Sequence, residues 1–284
     1  MASILDRYGI KEVADVTFYS INSDGTRGVP ALYLDTLKVS TIEQTAETSD
    51  ARGGKGNPKL ITWDYGKEIN VTIEDALFSS KSMAIMFGNG TVANKTGDTI
   101  TKTAVVNLDK DGKLPNTFVA DVYDATTGAK RVKVRMDDTN PGSDEIAFAS
   151  SGITLVSLTS EAGVEIDSSL TKTEWSNQRE GYANQKAFVT YTVKATTKTI
   201  VISGDSFPGT YYVVGDTYAR SDVTGADQFF QFIIPKAKVT SENTITLEAE
   251  GDPSVFSMNL TVLRPASGEM MKLVQYDLDA PTTT

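Results

Sequence analysis

Apolar and polar residues alternate at every second position along much of the chain. The pattern is clearest in residues 68–74, 244–250 and 256–262, where Ile, Val, Leu, Met and Phe are separated by polar side chains. Such alternation predicts antiparallel strands that bury one face and leave the other in water. About a dozen segments of this kind, separated by turns rich in Gly, Asn, Asp and Pro, predict a mainly β protein.

The predicted fold class is an antiparallel β-sandwich or barrel with one short helix and a β-rich elaboration in the middle of the chain. Residues 227–234 (DQFFQFII) are apolar at both odd and even positions. A strand of this kind needs a second layer or a partner chain on its other face. Pro235 is expected to end that strand, because proline cannot donate a ladder hydrogen bond.

Residues 58–88 hold the most strongly patterned local structure. The pattern predicts a strand, a tight turn at Gly66, a second strand and a short helix. The helix signals are capping serines, apolar residues at helical spacing and a terminal glycine, at Ser79 or Ser80, Met83, Met86, Phe87 and Gly88. Directly upstream, residues 45–57 (TAETSDARGGKGN) are glycine-rich and of mixed charge, and we expect a long mobile loop there.

Composition narrows the possible functions. The chain has 284 residues, a net charge of −10, no cysteine and no histidine. The commonest general base and the commonest zinc ligands are therefore missing, which argues against an enzyme. The acidic balance argues against specific nucleic-acid binding, which requires an excess of Lys and Arg. Residues 53–56 depart from a phosphate loop and residues 109–112 from a calcium loop. We expect no catalytic residue, cofactor or metal.

The sequence predicts neither a membrane-spanning segment nor a secretory signal. There is no run of about eighteen apolar residues, so no membrane-spanning segment is predicted. The first residues lack the basic and apolar regions of a secretory signal.

Two stretches resemble the major tail tube proteins of long-tailed bacteriophages, whether contractile or non-contractile. One is IEDALFSSKSMAIMFG (residues 73–88), which follows a long strand, a mobile loop and a strand pair. The other is residues 230–263, with a strand, a proline break, a strand, a Gly-Asp-Pro turn and a closing strand. The likeness covers roughly residues 13–88 and 207–276. It implies a tube-like core at 1–98 and 207–276, a β-rich insertion at 99–206 and a flexible tail at 277–284.

The resemblance implies a structural virion protein that forms stacked, hexameric rings. The rings make the tail tube, a negatively lined conduit for DNA. The implied partners are other copies of the chain, other tail proteins such as sheath, terminator or baseplate, and DNA in non-specific passage. The implied location is the virion tail, after assembly in the host cytoplasm.

The resemblance also suggests roles for two sets of residues. The loop at 43–59 is expected to order between rings, with candidates Glu43, Glu47, Asp50, Arg52, Gly53, Gly54, Lys55 and Lys59. Acidic residues on the wet faces of strands are expected to line the lumen, with candidates Glu68, Glu74, Glu248 and Glu250.

Two alternatives remain open from the sequence. The first is another β-rich virion component, such as a capsid decoration or baseplate module, which would decorate preformed shells and form no tubes. The second is a carbohydrate-binding β-sandwich, in which Trp63, Trp175 and some of the eleven tyrosines would stack on sugars. Measured glycan binding would favour that second reading.

Overall fold

The structure is a computed structural model that describes residues 7–10, 12–88, 90–139, 141–242 and 255–276. These residues form a mainly β protein with mostly antiparallel pairing, as the sequence predicts. The elements, in chain order, are β1 (Tyr8–Ile10), β2 (Asp15–Ile21), β3 (Arg27–Leu34), β4 (Leu37–Arg52), β5 (Lys59–Asp75), α1 (Ser80–Phe87), β6 (Ala93–Asn107), β7 (Thr117–Ala120), β8 (Val132–Arg135), β9 (Glu145–Ala147), α2 (Phe148–Ser151), β10 (Ile153–Ser160), β11 (Glu165–Asp167), β12 (Lys186–Thr199), β13 (Thr210–Ser221), β14 (Asp227–Val239), β15 (Phe256–Val262) and β16 (Lys272–Tyr276).

The chain divides into two compact units. Unit 1 comprises Met1–Val92 with Thr199–Thr284, and unit 2 comprises Ala93–Lys198. The inserted region expected from the sequence has its limits at residues 99 and 206 instead, a few residues further along at each end.

Unit 1 is built on one nine-stranded sheet. Its order is β3-β2-β13-β14-β15-β5-β4, with β1 added on β13 and β16 on β14. Within the described residues this order has two free ends, so the sheet does not close into a barrel. One face and helix α1 bury a single core, which contains Val16, Phe18, Leu32, Leu34, Ile69, Val71, Ile73, Ile85, Met86, Val213, Phe232, Ile234, Met258 and Leu260.

The sheet curls around this core. Leu34 on β3 and Ile73 on β5 come from strands near opposite ends of the order, yet they line the same small cavity beside Met86 of α1. Thr36 donates a hydrogen bond to Asp75 across the same gap, at 2.5 Å. The outer surfaces of the two flanks therefore point away from each other.

Helix α1 has the limits that the sequence predicts. Ser79 is the N-cap and forms a capping box with Ser82, and Gly88 is the C-cap. The Ser79 hydroxyl accepts a hydrogen bond from the backbone N–H of Ser82 at 3.0 Å. This bond satisfies one of the amides that a helix start leaves without a partner.

The prediction of a tight turn at Gly66 is wrong. Strand β5 runs through Gly66 without a break, and Gly66 has a positive φ of 61°. Thr45 pairs with Glu68 and Glu47 pairs with Tyr65, so β5 has one more residue than β4 between these pairs. Gly66 is therefore part of a β-bulge, in which glycine adopts the left-handed conformation easily.

The prediction of a long mobile loop at residues 45–57 is also wrong. Strand β4 continues to Arg52 and pairs with β5, so only residues 53–58 connect the two strands. This part of β4 has no apolar alternation that would predict a strand, because its side chains are exposed on both faces. Backbone pairing with β5 gives it its extended structure.

Pro235 does not end its strand, contrary to the prediction. Strand β14 continues to Val239, and its register against β13 shifts between the pairs at Ile234 and Ala237. On its other edge, β16 pairs with residues 229–233 and β15 with residues 237–239. Pro235 lies between these two partners, at a bulge where its missing N–H costs no ladder hydrogen bond.

Unit 2 contains a four-stranded sheet, β11-β10-β12-β6, and a three-stranded sheet, β7-β8-β9. Its core includes Leu158, Val134, Val189 and Tyr191, all at most 1% exposed. The β8–β9 pair is parallel. The short helix α2 was not predicted, so the described residues contain two helices where the sequence suggested one.

The close packing of Gly215 against the ring of Phe232 gives a stability prediction. A Cβ at Gly215 would lie 2.1 Å from that ring. Because Phe232 is buried and cannot move freely, Gly215→Ala should destabilise unit 1 by about 1–3 kcal/mol, as measured by denaturant unfolding. Gly204→Ala is the control, since nothing lies within 4 Å of its Cβ. Equal stability of the two variants would contradict the packing.

Candidate assembly surfaces

The β4–β5 hairpin extends beyond the core as a two-stranded arm. We define the arm as residues 46–52 of β4, residues 59–65 of β5 and the connecting residues 53–58. Nearly all of its side chains are exposed, on both faces. At about 3.3 Å per residue, the arm extends roughly 20–25 Å beyond the last buried pair. All eight residues predicted for the inter-ring loop lie on this arm or at its base.

The bulge at Gly66 moves the apolar side chains of the arm to the opposite face of the sheet. Ile69, Val71 and Ile73 are in the core, and their β4 partners Gln44, Ile42 and Ser40 point to the same side of the sheet. Continuing along β4, this face carries Thr48 and Asp50, which pair with Asp64 and Thr62. Ile61, Trp63 and Tyr65 pair with Ala51, Ser49 and Glu47, so they point to the opposite side of the arm. We call these three side chains the stripe, and they are 54%, 53% and 53% exposed.

At the tip of the arm, residues 50–59, the ion pairs join residues of the arm to each other. Asp50 pairs with Lys59 at 2.8 Å and with Arg52 at 3.3 Å. It also accepts a hydrogen bond from the Thr62 hydroxyl at 2.9 Å. Hydrogen bonds from Lys59 and Thr62 lower the pKa of Asp50 below its usual value. Since Lys55 adds another cation, the tip keeps a net positive charge.

A polar surface covers the outer side of β5 and β15 at the base of the arm. We call it the polar face: Glu68, Asn70, Thr72, Glu74, Ser257, Asn259 and Thr261. The Thr72 hydroxyl donates to Asn259 at 3.0 Å, and the Thr261 hydroxyl donates to Asn70 at 3.1 Å. Two of the four predicted lumen residues, Glu68 and Glu74, lie on this surface. Glu248 and Glu250 lie outside the described residues.

The middle strands of the sheet, together with β16, carry a largely apolar outer surface. Its side chains alternate with core residues along β13 and β14 and continue onto β16. We call it the aromatic face: Asp216, Tyr218, Phe229, Gln231, Ile233, Lys272, Val274 and Tyr276. Val214 lies on the same side but is only 5% exposed. The Phe229 ring lies 5.3 Å from Tyr218 and 5.3 Å from Tyr276, measured between centroids. The two-sided apolar pattern of residues 227–234 thus forms the core and this second surface.

One edge of the aromatic face is acidic. Asp216 accepts a hydrogen bond from Gln231 at 2.6 Å, and its strand partner is Asp15 on β2. Asp15 accepts a hydrogen bond from the Tyr33 hydroxyl at 3.2 Å. Burial raises the pKa of Tyr33, and the negative charge of Asp15 raises it further. Asp35 and Asp216 act on the same hydroxyl in the same direction. No ion pair is formed by these three aspartates with any described residue.

The two tryptophans that suggested sugar stacking lie in different environments. Trp175 is 3% exposed and donates its indole N–H to the Pro115 carbonyl at 2.6 Å, so it belongs to the core of unit 2. Trp63 is exposed on the stripe.

In the described part of the chain, no three acidic side chains are grouped so that they could hold a metal ion. No helix among these residues is long and apolar enough to cross a membrane.

A family model matches most of the chain. The model for the YomU/Tube protein family matches residues 8–143 and 124–275, ranges that overlap and include both units. The chain belongs to the YomU/Tube protein family. No curated protein matches it. At the level of the family, the match supports a phage tail tube protein and a structural component of the virion. Membership of a structural tube family suggests a role other than catalysis.

The difference between the two tryptophans gives a prediction for the free subunit. Acrylamide should quench the fluorescence of exposed Trp63 and leave that of buried Trp175 nearly unchanged. Trp63→Phe should therefore remove the quenchable part of the emission, whereas Trp175→Phe should leave it in place. If Trp63→Phe keeps the same quenching, the arm is folded onto the body of the protein in solution.

Proposed function

We propose that this protein is a tail tube subunit that assembles with copies of itself into hexameric rings, which stack into a conduit for DNA. The observation that carries the proposal is that unit 1 presents two apolar surfaces, the stripe and the aromatic face, which no other described element covers. A two-stranded ribbon exposed on both faces is marginal in isolation. Large exposed apolar patches on a folded unit are typical of interaction sites.

The arm is the element that joins one ring to the next. Its length of roughly 20–25 Å lets it reach beyond its own subunit. Because its ion pairs are exposed, each contributes only about 0–1 kcal/mol. Burial of the stripe supplies most of the attraction between copies.

The polar face lines the lumen. Glu68 and Glu74 supply negative charge there, and the hydroxyl and amide groups between them already bond to each other across the strands. A conduit has to bind its cargo weakly, and carboxylates oppose phosphate contacts. DNA then passes without sequence-specific contacts.

The proposed assembly also implies the remaining partners and the location of the protein. The tube would contact other tail proteins, such as a sheath, a terminator or a baseplate. The protein would be located in the virion tail after assembly in the host cytoplasm. A capsid decoration or baseplate module would use similar surfaces without forming tubes, so assembly of the purified chain separates these possibilities.

Electron microscopy of the purified protein tests this function together with the role of the arm. We expect rings and stacked tubes at rising protein concentration. Replacing residues 46–67 with Asn-Gly joins the paired residues Thr45 and Glu68 by a short hairpin turn. This variant should unfold at nearly the wild-type temperature but fail to stack. Monomers at every concentration would refute the function, and long tubes from the shortened variant would refute the role of the arm.

The lumen assignment predicts a change in DNA retention. Tubes of the double variant Glu68→Lys, Glu74→Lys should hold DNA at low salt, and each added phosphate contact should steepen the salt dependence of binding by about 0.9. The control is Glu161→Lys, Glu165→Lys, which changes net charge equally at two exposed positions of unit 2. If intact tubes of the double variant retain no more DNA than tubes of the control, the polar face does not line the lumen.

A further inference from the structure

We infer that the stripe of one copy docks on the aromatic face of a neighbouring copy. This inference rests on the proposed assembly and names the two surfaces that meet in it. Both surfaces belong to unit 1, and no other element in the described ranges packs over either of them.

The two surfaces match in shape and chemistry. The stripe presents a row of three side chains, Ile61, Trp63 and Tyr65, on a two-stranded ribbon. Three adjacent strands, β16, β14 and β13, carry the opposing row of Tyr276, Phe229 and Tyr218. Neighbouring strands lie about 4.8 Å apart and packed sheets about 10 Å apart, so the ribbon covers that row as one sheet covers another. Aromatic pairs add about 0.5–1.5 kcal/mol each to the burial of apolar area.

The charges at the ends of the two surfaces are also complementary. The tip of the arm carries Arg52, Lys55 and Lys59 against the single carboxylate of Asp50. The aromatic face ends in the acidic group of Asp15, Asp35 and Asp216. Opposite potentials of this kind select the orientation of docking and accelerate encounter.

The contact is a head-to-tail one, because the two surfaces lie on different strands of unit 1. The stripe is on β5 in the arm, and the aromatic face is on β13, β14 and β16. One surface of a copy therefore meets a different surface on the next copy. Such heterologous contacts propagate into rings or open assemblies, whereas a surface that meets itself stops at a dimer.

The stripe and the polar face do not compete for the same space. Both lie on the outer side of the β4–β5 flank, but at different places along it. The stripe ends at Tyr65 on the arm, and the polar face begins at Glu68 at the base of the arm. A neighbouring copy can cover the stripe while the polar face stays open.

Cysteine cross-linking tests this pair of surfaces, because the chain has no cysteine of its own. Ser49→Cys places a thiol beside Trp63 on the stripe side, and Val274→Cys places one on the aromatic face. The two variants, with different tags, are mixed, assembled and treated with a short bis-maleimide. We expect a cross-linked product that carries both tags.

Two neighbouring positions supply matched controls. Thr48→Cys lies next to Ser49 but on the opposite side of the arm, beside Asp64. Ser257→Cys lies on the polar face. The Ser49 and Val274 pair should give several-fold more product than Thr48 with Val274 or Ser49 with Ser257.

The outcomes separate this inference from the proposed function. Tubes that form while Ser49→Cys links to Ser257→Cys, or while Thr48→Cys links to Val274→Cys equally well, overturn the docking inference and leave the tube function standing. Tubes without any product from the Ser49 and Val274 pair do the same. Failure of wild-type protein to assemble at all overturns both.

Discussion

Strand register at Gly66 is the constraint that divides the apolar side chains of β5 between the core and the exposed stripe. Odd-numbered positions from 61 to 65 and from 69 to 73 are apolar or aromatic, so an unbroken strand would place them all on the core side. One extra residue at the bulge keeps Ile69, Val71 and Ile73 in the core and turns Ile61, Trp63 and Tyr65 to the opposite side. The same period-two pattern thus builds the interior and then an exposed stripe.

Strand β14 extends this argument to the middle of the sheet. Phe232 and Ile234 fill the core, while Phe229 and Ile233 belong to the aromatic face. A strand with apolar residues on both faces is costly to leave half in water, because each buried apolar side chain contributes about 1.5–3 kcal/mol. Among the described residues, the one helix of unit 1 packs on the core side of the sheet. In the proposed assembly, the outer side is covered by a neighbouring copy.

The parts of this fold that depend on neighbouring residues could be predicted from the sequence. The parts that depend on pairing between distant strands could not. The alternation of residues 256–262 and the serine cap of α1 are signals carried by neighbouring residues, and the structure agrees with both. The sequence predicts a turn at Gly66 and a strand end at Pro235, because these residue types usually mark breaks. Both instead lie at bulges, and a bulge depends on the register of a distant strand. The polar part of β4 gives no sequence signal for a related reason: its order comes from pairing with β5, and its own side chains show no pattern. The same division holds for the arm. Its glycine-rich, mixed-charge segment stands out in the sequence, whereas the exposed stripe depends on register.

Replacing a mobile loop by a paired arm changes the energetics of assembly. A disordered segment would lose about 1–2 kcal/mol of backbone entropy for each residue that it orders on docking. In the arm this cost has already been met by folding, through the β4–β5 ladder and the contacts of Asp50 with Lys59 and Thr62. A preorganised surface spends less of its contact energy on ordering and keeps more of it for affinity. In the proposed assembly, the many repeats of such a contact would let a stripe of three side chains join copies.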